Sequence, residues 1–211
     1  MLLNAQRFIH KPLAQILRKR ILIILISSLV LLSCSNSKID GTWILCYTDS
    51  PSTVAYFNEV FTFKNGHFES ESFSGPTSNE KSKGTFELNE NQLILNDSIK
   101  LSIGLIHTDS LVLLDETTSY TFKKLNDSLK NTESDKIKLE DKTYGADFDG
   151  HHVSNIGYRN GKILLESESF EESRTYYKRI NHNGFDIVFQ QYAMPKILTG
   201  INNDTLLFIG F

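Results

Sequence analysis

Apolar and polar residues alternate with a period of two through most of the chain after residue 40. Phe61 and Phe63 alternate with Thr62 and Lys64, for example, and helical periodicity is almost absent. This alternation is typical of β-strands that bury one face. In the first half of the chain it predicts eight strands, near 42–48, 55–64, 66–72, 82–89, 91–96, 99–107, 110–115 and 118–124.

Short turn-forming sequences separate these strands. Asn65-Gly66 supplies the positive φ angles of a tight hairpin turn. Connections this short favour sequential antiparallel pairing, and eight meandering strands with one apolar face close most economically into a barrel, which removes the exposed edges. Because residues 93–95 and 111–114 are apolar on both faces, we expect the second half of the chain to cover those strands.

The strand pattern stops at residues 126–137, a polar stretch predicted to be a linker, and then restarts. Asn160-Gly161 in the second half parallels Asn65-Gly66 in the first. Residues 138–211 are therefore predicted to form a second antiparallel β unit, for which an internal duplication is one explanation. This unit has no equivalent of strand 118–124, so we expect it to be incomplete.

The longest apolar run, residues 21–32, follows three consecutive cations at 18–20. As a helix it would span about 18 Å, short of the roughly 30 Å hydrocarbon core of a bilayer. A basic stretch, a short apolar run and a small residue before the cut are typical of a secretory signal. We therefore expect residues 1–33 to be a signal peptide.

The residues that end this run resemble the lipobox of bacterial lipoproteins: Leu31-Leu32-Ser33-Cys34. The resemblance implies that signal peptidase recognises Leu31 and Ser33, that cleavage precedes Cys34, and that Cys34 is acylated. Residues 34–38 would then be a lipidated tether to a membrane. Ser35 is not an Asp-type retention signal, so the expected location is the outer membrane, facing either the periplasm or the cell surface.

Removing the signal makes the chain acidic. The whole chain carries 22 Lys and Arg against 25 Asp and Glu, a formal charge of −3. Residues 1–33 contain five of the cations and no acid, which leaves a formal −8. Nucleic acid is an improbable partner for this charge, because phosphate binding needs a basic surface. After lipidation Cys46 would be the only free thiol, so no disulfide stabilises the fold.

The start of the first strand resembles lipocalin-like barrels. Ile39-Asp40-Gly41-Thr42-Trp43 matches their Gly-x-Trp opening, and the hairpin around Asn65-Gly66 resembles their second hairpin. The resemblance covers about residues 38–125, so we assign residues 39–125 to a lipocalin-like barrel. Together with the lipobox it implies the lipocalin-like lipoproteins of diderm bacteria. In such a barrel Gly41 and Trp43 have a structural role, with Trp43 packed across the closed end.

Three groups of residues could carry chemistry, and each has a simpler interpretation. Asp147, Asp149 and His151 form a weak metal candidate, but a solvated hairpin loop explains them better. Four glutamates between 166 and 172 could pair for glycoside chemistry, although a charged hairpin tip is simpler. Tyr176-Tyr177-Lys178-Arg179 could stack on a sugar or a base, although aromatic residues on strands usually pack. We expect no cofactor and no metal.

Two surface features complete the candidates. Residues 72–81 are predicted to be a long polar loop, and Phe73, Gly75 and Pro76 are its candidate ligand-contacting residues, because loops at the mouth of a barrel carry recognition. Four Asp-Ser or Asp-Thr pairs precede an aliphatic residue and resemble an O-glycosylation site of some diderm bacteria; turn closure by the Asp is the alternative. The acceptor residues would be Ser98, Ser110, Ser128 and Thr205.

The function that these observations favour is a non-enzymatic, lipid-anchored outer-membrane barrel that binds a small apolar ligand or an envelope protein. The alternatives are an interaction or assembly module whose barrel is filled by side chains, and a hydrolase that uses the C-terminal half. The free space inside the barrel distinguishes the first two, because eight strands can be filled or can hold one small ligand.

Overall fold

The computed structural model describes residues 36–49, 58–165 and 175–210. The chain divides into two compact units, Met1–Lys38 and Ile39–Phe211, and the following description concerns the second. The predicted signal and lipidation residues, Leu31, Ser33 and Cys34, lie outside the described residues, as do the glutamates of 166–172. No helix within the described ranges is both long and apolar enough to cross a membrane.

Eight antiparallel strands form a closed up-and-down barrel, in which each strand pairs with the next and β8 pairs with β1. This confirms the predicted fold of the first half. The strands are β1 (Gly41–Asp49), β2 (Asn58–Lys64), β3 (His67–Gly75), β4 (Ser78–Leu88), β5 (Gln92–Leu95), β6 (Ile99–Ile106), β7 (Ser110–Leu114) and β8 (Ser119–Lys124).

The prediction of a long loop at 72–81 is wrong, because β3 and β4 continue through this segment to a tight turn after Gly75. Opposite charges face each other across this hairpin, as in the pairs Glu69–Lys83 and Glu71–Lys81, and such pairs stabilise a ladder. The strand was missed because both of its faces are polar there, so the apolar alternation that identifies other strands is absent.

Seven strands form the second sheet, in the order β11-β10-β9-β15-β14-β13-β12. Among the described residues, the bridge from Lys162 to Tyr176 connects its two edges, and the predicted incomplete second β unit is confirmed. The strands are β9 (Lys142–Phe148), β10 (His151–Arg159), β11 (Lys162–Leu165), β12 (Tyr177–His182), β13 (Phe185–Gln190), β14 (Ala193–Asn202) and β15 (Thr205–Ile209).

The pairing of β15 with β9 is parallel, unlike the antiparallel pairing of β8 with β1. In an up-and-down arrangement, strands alternate in direction, so the first and seventh strands run the same way. The second unit thus follows the strand order of the first barrel without its eighth strand. The Asn-Gly turns at 65–66 and 160–161 occupy the same place, between the second and third strands of each unit.

The two β units share a hydrophobic core. Ile44, Val60 and Phe73, on the outer face of β1, β2 and β3, pack against an apolar face of β13 and β14 that includes Phe189 and Ile197. The expectation that the second half covers the strands at 93–95 and 111–114 is wrong. The outward residues of those strands are only half-buried: Ile94, Val112 and Leu114.

The predicted linker, 126–137, is ordered and packs on the second sheet. It contains two short 3₁₀ helices, and the buried Asn131 donates to Asp186 and to the carbonyl oxygen of Leu198. Arg179 forms two hydrogen bonds with the fully buried Asp186 and donates to carbonyl oxygens of the linker. Polar residues here satisfy a buried ion pair, which explains why the segment has no apolar pattern.

Candidate functional site

One end of the barrel is closed by the residues around the start of β1. Trp43 is fully buried, as predicted, and its indole N–H donates to the carbonyl oxygen of Ile39 at 2.7 Å. The Lys124 ammonium lies 5.4 Å from the centroid of the Trp43 ring. Gly41 has a φ of +134°, a backbone conformation that residues with a side chain rarely adopt, so this position favours glycine. A Cβ there would also lie 2.4 Å from Cε of the flexible Lys124 side chain.

Aromatic rings fill the middle of the barrel. Phe61 and Phe63 stack with centroids 5.4 Å apart, Phe122 meets Phe61 edge-on at 5.7 Å, and Phe86 meets Phe63 edge-on at 5.1 Å. These rings belong to one buried cluster that includes Trp43. The half of the barrel nearest the closed end is therefore a packed core.

The opposite end of the barrel, called the mouth here, is formed by the turns between β3 and β4, β5 and β6, and β7 and β8. Its interior is polar. Glu59 occupies the same face of β2 as Phe61, and the ladder places Ser72 opposite Glu59 and Ser70 opposite Phe61. Glu80 lies opposite Ser72 on the next strand. A carboxyl group thus lies on the interior face of the barrel, above the aromatic core.

The environment of Glu59 disfavours its charge. Burial first, and then the negative charge of Glu80, raise the pKa of the Glu59 carboxyl to about 7. None of the described residues forms a hydrogen bond or an ion pair with Glu59. Interior positions at the mouth of the described strands contain no Lys, Arg or His.

The rest of the mouth combines apolar residues with one unsatisfied hydroxyl, on β1 next to the strand of Glu59. Thr48 lies opposite Tyr120 in the ladder, and its Oγ1 is buried without a hydrogen-bond partner in the described structure. The Tyr120 hydroxyl donates to Asp115 at 2.8 Å. Ile99, an interior residue at the start of β6, is 53% exposed. The mouth therefore has an acidic wall, with Glu59 on β2 and Glu80 on β4, and an apolar wall on the β6 side, where Ile99 is exposed.

The acidic wall is higher than the apolar wall. Strand β4 pairs with β5 only through residues 86–88, but it pairs with β3 from Ser78 onwards. The first part of β4 therefore has β3 as a neighbour and no pairing with β5. The β3–β4 hairpin therefore projects beyond the turn between β5 and β6. Its inner face has the serines at 70 and 72 and Glu80.

The second sheet supports the outer face of this hairpin. Lys178 donates to the buried carboxylate of Glu71 and to Asn79. Burial alone would raise the pKa of Glu71, but hydrogen bonds and charges from Lys178 and Lys81 outweigh it and hold the pKa below its ordinary value. Phe73 stacks on Phe189 with centroids 6.4 Å apart. The C-terminal half therefore holds one wall of the mouth in place.

The predicted ligand-contacting residues occupy different environments. Phe73 is buried against the second sheet, and Gly75 is buried near Gln191, so neither is available to a ligand in the mouth; only Pro76 is exposed. Glu59 is not among the residues predicted from the sequence to form the site, although its position two residues before Phe61 in an alternating strand indicates that it faces the interior.

The weak metal candidate forms a turn. Asp147 Oδ1 accepts a hydrogen bond from the Gly150 N–H at 2.6 Å, which closes the hairpin between β9 and β10. Among the described residues, no group of three or more His, Cys, Asp or Glu side chains is arranged to hold a metal ion. Asp149 lies in the turn, and His151 pairs with Phe148 in the ladder.

The candidate glycosylation residues differ in exposure. Ser98 and Ser128 are exposed, whereas Ser110 and Thr205 are half-buried. Ser110 donates to Asp109 and accepts from Lys123. Modification of these residues stays a prediction, and the two exposed serines are the better acceptors.

A second concave region lies beside the closed end, between the barrel and the second half of the chain. It is a cleft of about 1280 Å³ whose lining includes Asp40, Lys64, Lys124 and Asn183. Asp40 Oδ1 is buried without a hydrogen-bond partner in the described structure. The cleft has acidic, basic and neutral side chains together, so its charge does not favour one class of ligand.

The fold and site together define an all-β protein with a closed eight-stranded up-and-down barrel and a polar mouth. No protein-family model matches the sequence, and no curated protein matches it. A solved lipocalin-like protein from Bacteroides uniformis resembles part of the chain with a TM-score of 0.33 and 18% identity, over 42% of this chain and 99% of that one. An uncharacterized protein from Bacteroides eggerthii resembles it with a TM-score of 0.33 and 17% identity, over 41% and 98%.

Proposed function

We propose that this protein is a lipid-anchored, non-enzymatic envelope protein of the lipocalin-like kind that binds a small molecule in the mouth of its first barrel. The observation that carries the proposal is the carboxyl of Glu59 on the interior face, which has no hydrogen-bond partner among the described residues. Across the barrel, Ile99 on β6 leaves apolar surface uncovered. Buried polar groups normally find a partner, and a bound molecule would supply one.

The packed middle of the barrel limits the size of the ligand. Trp43 and the phenylalanine cluster occupy the half nearest the closed end, so the ligand binds in the mouth and does not reach the bottom. A small amphipathic molecule fits this arrangement better than the small apolar ligand predicted from the sequence, because the higher wall of the mouth is lined by Glu and Ser.

The lipobox-like sequence supports the anchored location, with acylation at Cys34 and residence in the outer membrane. The described unit begins at Ile39, at the closed end of the barrel, five positions after Cys34 in the sequence. Extended chain covers at most about 3.6 Å per residue, so the closed end lies within about 18 Å of the acylated residue.

A second candidate function, an interaction module without a ligand, is favoured by the packed phenylalanine cluster. It predicts that the surface of the protein, and not the mouth, is the functional region. A substitution that fills the mouth with a bulky side chain therefore distinguishes the two functions.

The test uses the full-length lipoprotein, purified from membranes into lipid nanodiscs, as wild type and as two tryptophan variants. Ser72→Trp places an indole in the mouth beside Glu59, and Ser102→Trp places one on the exposed outer face of β6. Small molecules extracted from each preparation are compared by mass spectrometry. We expect the wild type and Ser102→Trp to retain a molecule that Ser72→Trp loses, with equal β content by circular dichroism. Equal retention by all three, or none by the wild type, contradicts ligand binding in the mouth.

A further inference from the structure

One turn differs from the other turns of the protein in the type of residue that it uses. Ten described residues other than glycine have a positive φ angle, and nine of them are Asn or Asp. The tenth is Tyr192, with a φ of +63°. Asn and Asp adopt this left-handed conformation readily, whereas a bulky side chain there is strained. The turn itself therefore does not explain the presence of a tyrosine.

The side chain of Tyr192 does not contribute to a hydrophobic core either. It is 69% exposed, more than Tyr47 at 55% or any other large hydrophobic side chain in the described part of the chain. A single exposed aromatic residue is common on protein surfaces. Exposure together with backbone strain has no explanation in folding, because Asn at this position would suit the turn better and no burial would be lost.

The backbone that carries Tyr192 is held firmly. Asn58, which is 1% exposed, donates to the carbonyl oxygen of Gln190 at 2.8 Å and accepts from the Gln190 N–H at 3.3 Å. The Gln191 N–H donates to the carbonyl oxygen of Tyr176 at 2.8 Å. Strained conformations persist where the surrounding structure determines them, and they cluster at binding sites. The turn thus presents the Tyr192 ring to solvent from a fixed position.

The side chains beside Tyr192 are uncharged. Gln191 lies against the tip of the β3–β4 hairpin, where its side-chain nitrogen would be 3.4 Å from a Cβ at Gly75. The two tips, residues 75–78 and 191–193, contain amide, hydroxyl and proline side chains but no Asp, Glu, Lys, Arg or His. Pro76 and Thr77 are exposed. A partner at these tips meets one aromatic ring and neutral hydrogen-bonding groups.

The aromatic and cationic run at residues 176–179 packs within the protein and does not extend this surface. Tyr177 meets Tyr158 edge-on with ring centroids 4.9 Å apart. The two cations of the run form ion pairs with buried carboxylates. The ring of Tyr192 is therefore the aromatic group of this region that is open to a partner in solution.

We infer that Tyr192 is the stacking residue of a surface site for a neutral carbohydrate chain. A pyranose ring has an apolar C–H face that packs on an aromatic ring, and its hydroxyl groups bond to amides and hydroxyls at the edge of that ring. A protein partner fits less well, because a stable interface needs about 800 Å² on each side and its hot spots lie within packed patches. This site lies outside the mouth, so the inference goes beyond the proposed function.

The experiment uses isothermal titration calorimetry on the full-length protein in lipid nanodiscs, with the heat measured for empty nanodiscs subtracted. The probes are the neutral hexasaccharides maltohexaose, cellohexaose and mannohexaose, and hexagalacturonate as an anionic equivalent. We expect at least one neutral hexasaccharide to bind. Hexagalacturonate should bind more weakly than that probe, because the two tips have no cation to offset the desolvation of its carboxylates.

Two substitutions at Tyr192 separate binding from stability. Tyr192→Phe keeps the ring and should keep the affinity, whereas Tyr192→Asn should weaken binding about tenfold, which corresponds to an aromatic contact of roughly 1.4 kcal/mol. Asn suits the positive φ angle, so the urea midpoint of Tyr192→Asn should equal or exceed that of the wild type. Tyr47→Thr removes another exposed tyrosine, on β1, and is the matched control that should bind as the wild type.

Each other outcome overturns the inference. Binding of none of the neutral hexasaccharides, or tighter binding of hexagalacturonate, overturns the neutral carbohydrate class. Equal affinity of Tyr192→Asn and wild type overturns the role of Tyr192, and a lower urea midpoint for this variant would show that the ring stabilises the fold instead. Ser72→Trp should leave hexasaccharide binding unchanged; a loss of binding in that variant would place the sugar in the mouth and not at Tyr192.

Discussion

Lys178, on the second sheet, donates to the buried carboxylate of Glu71, on the outer face of the hairpin whose inner face lines the mouth. The pair joins residues more than a hundred positions apart and couples the C-terminal half to the candidate site. The C-terminal half is thus more than an appended domain: it positions the higher wall of the mouth through Lys178 and through the stacking of Phe189 on Phe73.

We expect Lys178→Met to destabilise the protein by about 1–3 kcal/mol, because Glu71 loses its hydrogen bond from Lys178 in a buried setting. Lys81 still pairs with Glu71, which limits the loss. Denaturant unfolding followed by circular dichroism measures the change. Lys83→Met, at an exposed position of the same hairpin, is the control and should change stability little; equal effects of the two variants would contradict a specific role for Lys178.

Trp43 provides a second test, at the closed end. Trp43→Ala should cost roughly 3–5 kcal/mol, the usual loss for a large aromatic residue in a core. Trp43→Phe keeps most of the apolar volume but loses the hydrogen bond to the Ile39 carbonyl oxygen, so it should cost less. Both variants are compared by their denaturation midpoints, and an unchanged midpoint for Trp43→Ala would show that this residue does not hold the closed end.

The sequence predicts the barrel well wherever one face of a strand is apolar. Strands with the Phe61-Thr62-Phe63 type of alternation are found close to the predicted bounds, because burial of one face determines their register. The β3–β4 hairpin does not show this apolar alternation. Ser70 and Ser72 face the polar mouth, and the outward Glu71 forms ion pairs with Lys178 and Lys81. Departures from the apolar pattern thus coincide with the candidate site.

Contacts between the two halves could not be predicted from the pattern. Outward apolar residues such as Ile44 and Val60 indicate that something covers a strand, but not which strands lie against each other. The linker shows the same limit: Asn131 and Ser134 belong to a buried polar network around the Arg179–Asp186 pair, and isolated polar residues give no periodic signal. Glu59 could be placed on the interior face from alternation, but its lack of a partner required the structure.

The stability of the protein should depend on pH through Glu59. Its pKa is about 7 in the folded protein against an ordinary value of 4.5. The unfolded chain therefore loses this proton first as the pH rises, and the stabilisation present below pH 4.5 is lost as the pH rises through 7. Glu59→Gln removes the effect, so its stability relative to wild type should increase by up to about 3 kcal/mol between pH 4 and pH 8.

Urea unfolding at several pH values measures this difference. Glu87→Gln, at an exposed outer position, provides the control and should show a constant difference from wild type across the range. A difference between Glu59→Gln and wild type that does not change with pH would show that Glu59 titrates normally and that the mouth is more polar than the structure indicates.

The anchor is tested by Cys34→Ala. Because the lipobox-like sequence ends at this residue, the variant should not incorporate radioactive fatty acid and should accumulate as an unprocessed precursor. Cys46→Ala is the matched control and should be labelled and processed as the wild type. Equal labelling of Cys34→Ala and wild type would contradict the anchor, and recovery of the wild type only in inner-membrane fractions would contradict the predicted location.

The C-terminal strand should hold the second sheet together. β15 lies between β14 and β9, where Leu206 and Phe208 are buried and Phe208 stacks on Phe148 with centroids 5.0 Å apart. Deleting residues 206–211 removes the strand that joins β9 to β14 and leaves the Lys162–Tyr176 bridge at the other edge. β13 and β14 keep their contacts with the barrel through Phe189 and Ile197. Hydrogen exchange followed by mass spectrometry should therefore show loss of protection in β9–β11 first and little change in β1–β8. A chain that ends at Ile209 is the control and should keep its protection. Loss of protection throughout the barrel, or none in β9–β11, would show that β15 does not connect the two parts of the sheet in this way.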